Sequence, residues 1–123
     1  MSQLQGNRGA FLDMIAFAEG TSRVPNSDDG YRVIVGGGTF SGFADHPRKL
    51  VQVQPGLRST AAGRYQLLMR YWDAYRQTLG LHDFSPISQD AVAIRQIVER
   101  GALADIDAGR ISQAIAKVRN IWA

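Results

Sequence analysis

The feature that most constrains this chain is the stretch from Ala10 to Gly20, an apolar helix that runs straight into a carboxylate and a glycine. Phe11, Met14, Ile15 and Ala18 recur at the spacing of one helical face, and Leu12 and Phe17 widen it into a stripe suited to deep burial. Asn7 reads as the N-cap, with the first turn beginning at Arg8. Gly20 supplies the stop, because glycine takes the left-handed conformation that closes a helix. Glu19 is then the last helical residue, where the helix dipole is negative and a carboxylate is mildly disfavoured. An acid placed there beside Phe17 is a candidate for a raised pKa. On pattern alone, a solvated Glu at a helix end is the plainer reading.

Composition removes whole classes of function. The 123-residue chain suits one domain, 1–123, and contains no cysteine, which excludes disulfides, zinc thiolates and a cysteine nucleophile. Its two histidines, His46 and His82, lie far apart without spaced ligand partners, so no metal or cofactor is expected. A formal net charge of +3 favours an anionic partner without naming one. The basic residues are scattered rather than clustered, which argues against nucleic acid. No apolar run approaches the ~18 residues of a membrane span. The opening residues lack the blocks of a signal peptide, so synthesis in the cytosol without an export signal is expected.

After Gly20 the chain turns polar, then β-rich at Tyr31–Val35, with Gly36–Gly38 as a hairpin turn into Thr39–Phe40. Leu50–Val53 alternates apolar and polar residues. The pattern predicts a sheet lobe of about three strands over about 21–58, and a helical lobe over about 7–20 and 60–123. In the latter, a helix running from Arg64 presents Tyr65, Leu68, Trp72, Tyr75 and Leu79 and closes at Gly80. Ser85-Pro86 starts the next helix, whose apolar face is Ala91, Ile94, Ile97 and Val98. A short turn follows through Leu103 and Ile106, and the last helix carries Ile111, Ala114, Ile115, Val118, Ile121 and Trp122. The fold class is α+β.

A helix-terminal Glu facing a small glycine-rich sheet is the layout of a cleft between two lobes. One carboxylic acid in such a cleft suits protonation of a glycosidic oxygen, provided apolar surroundings keep it protonated near neutral pH. Tyr31, Gly36, Gly37, Thr60, Tyr65 and Gln66 can supply the amides, hydroxyls and flat surfaces that sugar rings need. Each also has a plain structural reading, as core or as turn.

The runs Phe11–Met14, Glu19–Thr21, Gly30-Tyr31, Val33–Gly37, Asp45–Leu50, Gly63–Leu68, Asp83–Pro86, Ser88–Ala93 and Glu99–Leu103 closely resemble the bacteriophage lambda endolysin family. The likeness extends from about Arg8 to Trp122. It implies a lysozyme-like fold and a peptidoglycan lytic transglycosylase that cleaves the β-1,4 bond between N-acetylmuramic acid and N-acetylglucosamine without adding water. By resemblance Glu19 is the catalytic acid, and Gly63–Gln66 matches the Gly-x-x-Gln signature that puts Gln66 and Tyr65 on the cleft wall. The Tyr31–Gly38 hairpin and the Asp45–Lys49 loop would form its lips. The resemblance also implies a monomer acting on glycan strands, with no membrane insertion. It would be held in the host bacterial cytoplasm until a holin opens the inner membrane to the periplasm.

Two departures stand out: the loop after Glu19 is shorter than the family's, and the family continues past the position of Trp122-Ala123 through a loop and a final helix. The chain is therefore expected to lack that C-terminal segment. Two alternatives remain. One is a hydrolysing muramidase with Asp28 or Asp29 as second carboxylate, although an Asp-Asp-Gly run is first of all a turn. The other is a truncated, inactive wall-binding homologue.

Overall fold

A computed structural model describes residues 2–122; the predicted chain end at Ala123 falls outside them. The first helix, α1, spans Gly6–Glu19 and closes on Gly20 at φ 82°, whose N–H reaches the carbonyls of Ala16 and Phe17. Its stop is where the sequence puts it, its start is not, and its predicted face is buried only at Phe11, Leu12 and Ile15. Gln5 is the N-cap and makes no side-chain cap, while Asn7 donates to the Ile106 carbonyl and ties α1 to the far end of the chain. The buried stripe is Phe11, Leu12, Ile15 and Ala16, with Met14, Phe17 and Ala18 exposed. Both stripes obey helical periodicity. The choice between them is made by packing, which lays Phe11, Leu12, Ile15 and Ala16 against Ile97, Ala102, Ile106, Ala114 and Val118.

A single 3-10 turn, Thr21–Arg23, continues from Gly20. The three-stranded sheet is reduced to two antiparallel strands, β1 (Val51–Gln54) and β2 (Leu57–Ser59), joined by a turn at Gly56 and bulged between Gln52 and Gln54. This hairpin is largely exposed and carries no core. The segment around Tyr31–Phe40 forms only isolated bridges, for two reasons. Gly36 and Gly37, both at positive φ, turn the chain after one pair, Val33 with Thr39. Val33–Val35 is then taken up by residues 61–63: Ile34 bridges Ala62, Val35 N–H donates to Ala61, and Gly63 N–H donates to Val33.

Residues 61–67 are not helical. Ala62 and Leu67 exchange both backbone hydrogen bonds around a turn in which Gly63 and Gln66 have positive φ. The next helix, α2 (Met69–Leu79), thus starts five residues later than the periodicity suggests, where the Thr60 hydroxyl accepts the Met69 N–H at 3.0 Å. Gly80 ends it in the left-handed conformation. In α3 (Pro86–Glu99) the Ser85 cap accepts from Ser88 as predicted, yet the buried face is Ser88, Gln89, Asp90, Val92, Ala93 and Ile97, half of it polar. Val98 is exposed. The Leu103–Ile106 turn is a short helix, α4 (Leu103–Asp107). The last helix, α5 (Ile111–Val118), buries Ala114 and Val118, leaves Ile111 and Ile115 exposed, and is followed by Trp122, whose indole N–H donates to the Tyr65 carbonyl.

Tyr31, from the segment assigned to the sheet lobe, and Tyr65, from the turn, both sit in the main core with α1, α3, α4 and α5. A second cluster of Ala62, Leu67, Trp72, Phe84 and Val92 holds α2 against the Asp45–Lys49 loop, where His46 packs on Phe84 and Trp72 donates to Asp45.

Candidate active site

Glu19 occupies the last turn of α1, half-buried, with no hydrogen bond or ion pair among the described residues. Burial raises its carboxyl above the ordinary glutamate value of 4.5. The acid thus keeps its proton more readily than an exposed glutamate would.

The residues beside it are locked. Thr21, 2% exposed, donates its hydroxyl to the Arg64 carbonyl at 2.6 Å, with the Ala16 carbonyl 3.2 Å away. The acid's helix end is thereby joined to the turn that carries Gln66. Gln89 holds the same turn from behind: its side-chain oxygen accepts the Arg64 N–H at 2.9 Å, and its amide donates to the Tyr31 and Phe84 carbonyls. Gly63 must be glycine, because at φ +84° a Cβ would lie 2.4 Å from the Gln89 oxygen.

Arg64 is the centre of this brace. Its guanidinium, 1% exposed, donates to Asp13 at 2.9 Å, to the Asp29 carbonyl at 2.9 Å and to the Tyr65 hydroxyl at 3.1 Å, and lies over the Tyr31 and Tyr65 rings. Asp90 completes the network by accepting from both tyrosine hydroxyls and from the Gln3 N–H. A buried carboxylate with three donors is well satisfied. Burial, reinforced by the Asp90 charge, pushes both phenols far above the usual tyrosine range, so neither ionises under ordinary conditions.

The candidate sugar-binding residues fare differently from one another. Tyr31 and Tyr65 are buried in the core, with hydroxyls committed to Asp90, and Tyr65 also lines the groove that Gln66 borders. Gly36 and Gly37 lie exposed at the hairpin tip with open space around them. Thr60 is half-buried and caps α2. Gln66 is half-buried at φ 54°, its amide donating to the Gly63 carbonyl at 2.8 Å. A groove of about 360 Å³ runs from Gln66 past Leu68, Tyr71 and Tyr75 to Trp122; Glu19 is not among its lining residues. What connects Glu19 to Gln66 is the Thr21–Arg64 hydrogen bond.

The candidate second carboxylates also part company. Asp29 pairs with Arg64 at 3.4 Å, while Asp28 is exposed; both adopt positive φ in the predicted turn. Among the described residues no group of three or more His, Asp or Glu converges as metal ligands. Arg64, Asp90, Gln89 and Thr21 were the residues missed as part of the site's framework. A run of polar residues, Ser88–Asp90, inside an otherwise apolar helix was the available signal for the α3 contribution.

The family model described as Endolysin matches residues 9–123. The endolysin of Escherichia phage lambda is 60% identical over 125 residues, covering 100% of this chain and 79% of that protein. The endolysin of Escherichia phage P2 is 50% identical over 128 residues, covering 95% and 78%. Bacteriophage lambda lysozyme, solved in complex with a chitohexasaccharide, superposes with a TM-score of 0.94 over 99% of this chain and 80% of that one, at 60% identity. A second structure of lysozyme from bacteriophage lambda superposes at 0.93 with 58% identity.

Proposed function

The chain belongs to the endolysin family, and from that premise we propose that it cleaves peptidoglycan with Glu19 as its one acid–base residue. The activity is breakage of the glycosidic bond, on the lysozyme-like α+β fold shared with the lambda enzyme. The observation that carries the assignment to Glu19 is its setting: a half-buried carboxyl raised by desolvation, unpaired among the described residues and fixed to a braced turn.

The reaction is read as lytic transglycosylation. Protonated Glu19 gives its proton to the oxygen between muramic acid and glucosamine, and the C1–O bond breaks as the aglycone leaves. Glu19, now a carboxylate, takes the proton from the muramic acid C6 hydroxyl while O6 bonds to C1, closing the 1,6-anhydro ring. Glu19 ends as it began. Because O6 is held intramolecularly, no water and no second carboxylate are needed. Asp29 being engaged by Arg64 supports this reading over hydrolysis. Gln66 is assigned to the substrate-facing wall, with Gly36, Gly37 and Thr60 at its margins.

The enzyme acts as one lysozyme-like domain and as a monomer. It is held in the host cytoplasm until a holin opens the inner membrane, and no helix among the described residues is long and apolar enough to cross a membrane itself. Mass spectrometry of purified sacculi after digestion tests the chemistry: 1,6-anhydro-muramic ends are expected, and reducing muramic ends would overturn it. A Glu19→Gln enzyme with wild-type activity would overturn the assignment of the acid. An inactive wild-type chain that still pulls down sacculi would turn the reading to a wall-binding module.

A further inference from the structure

We infer that Thr21 is a positioning residue for the reaction, its hydroxyl setting the acid-bearing end of α1 against the Gln66 turn. The inference rests on the assignment of Glu19 above and deepens it.

Thr21 stands two residues past Glu19, across a left-handed Gly20. Its side chain is buried, and its one hydroxyl proton goes to the nearer of two carbonyls, Arg64 at 2.6 Å rather than Ala16 at 3.2 Å. The rest of the residue is enclosed as well. Gly30, at φ +93°, approaches so closely that a Cβ there would lie 2.9–3.0 Å from the Thr21 carbonyl group and hydroxyl. Arg64 on the far side is held at its N–H by Gln89 and at its guanidinium by Asp13, Asp29 and Tyr65. Each partner of this hydrogen bond is thus immobilised independently. The bond joins two rigid bodies, one ending in the acid and the other bearing Gln66.

Such a joint needs only one correctly placed proton, and its loss leaves the Arg64 carbonyl without that donor, while the Ala16 carbonyl keeps the Gly20 N–H. A shift of about 1 Å in the placement of a reacting group is enough to cost on the order of 10²-fold in rate. A serine keeps the hydroxyl and loses one methyl group. A valine keeps the shape and loses the proton.

The test compares Thr21→Val with Thr21→Ser on purified sacculi, following soluble anhydro-muropeptides for kcat and KM and the Glu19 carboxyl by 13C NMR titration. Thr21→Val is expected to lower kcat at least tenfold with KM within about twofold, and to move the Glu19 titration toward that of an ordinary glutamate. Thr21→Ser should stay within about threefold of wild type on every readout. A Val enzyme with wild-type kcat, a Ser enzyme as slow as the Val enzyme, or a Glu19 titration that Val leaves unmoved overturns the inference. If Thr21→Val does not fold, Thr21→Ala takes its place under the same criteria. A Glu19→Gln control run alongside separates the two readings: if it retains activity, the acid assignment fails, whatever Thr21 does.

Discussion

His46 is buried with its Nε2 at 2.9 Å from the Leu67 carbonyl oxygen. That nitrogen must donate, because a carbonyl only accepts, and Nδ1 in turn accepts the Arg48 N–H at 2.9 Å. The ring is therefore held as one neutral tautomer.

Protonation would put a second N–H against the Arg48 N–H, and burial already lowers the His46 pKa below its ordinary 6.5. The sign follows: stability from His46 is complete above about 6.5 and is lost as pH falls through the lowered folded value. Asp45, held down to about 2 by Arg48, stays charged throughout that window. Thermal midpoints measured from pH 7 downward should fall, and a His46→Gln chain should lack that part of the slope. Its midpoint should start lower at pH 7, by about 1–3 kcal/mol of stability, for the lost hydrogen bonds.

Glu19 titrates in the opposite sense. Its folded pKa is raised, so the stability it contributes is present below 4.5 and lost as pH rises through the folded value. Glu19→Gln should therefore cost roughly 10²–10⁴-fold in kcat while leaving the protein as stable at pH 4 and more stable at pH 7. Paired activity and melting curves at the two pH values check both halves.

Gly63 and Gly36 both have positive φ, yet only one is crowded. Alanine at Gly36 meets open space and should cost about 1 kcal/mol of backbone strain. Alanine at Gly63 meets the Gln89 oxygen, which three hydrogen bonds hold in place, and should cost about 3 kcal/mol or more. Urea denaturation of the two variants gives the comparison directly.

Arg64→Met removes a buried cation from two carboxylates that can partly hydrate, and should cost about 3 kcal/mol, at the lower end for broken buried pairs. Arg64→Lys should recover only part of it, since an ammonium cannot reproduce the fork that reaches Asp13, Asp29 and Tyr65 together. Denaturation midpoints with matched m-values would show it.

What was legible in the sequence was local chemistry. Gly20 and Gly80 end their helices and Ser85-Pro86 begins one because caps act within a few residues. The α1 face was misread because Phe11–Met14–Ile15 and Phe11–Leu12–Ile15 are equally periodic, and only the packing of α4 and α5 separates them. The Arg64–Leu68 stretch scores as helix by its apolar spacing, but Gly63 and Gln66 at positive φ and a bridge to Ala62 override it. At the candidate site, Glu19 was visible as a misplaced carboxylate. Tyr31 and Tyr65 were not separable as core residues, because their burial depends on Asp90, 59 and 25 residues away.

The helix that bears Glu19 is held largely by residues far along the chain. Asn7 bonds to Ile106, Arg8 pairs with Asp107, and the Gln3 N–H is held by Asp90, separations of 99, 99 and 87 residues. A ribosome delivers α1 well before the segments that anchor it. Until α4 and α5 emerge, the buried stripe of α1 lacks Ile106, Ala114 and Val118, and closing such long loops is slow. The acid is thus synthesised before its scaffold, so a nascent chain paused before α4 holds the reactive residue without the contacts that seat it.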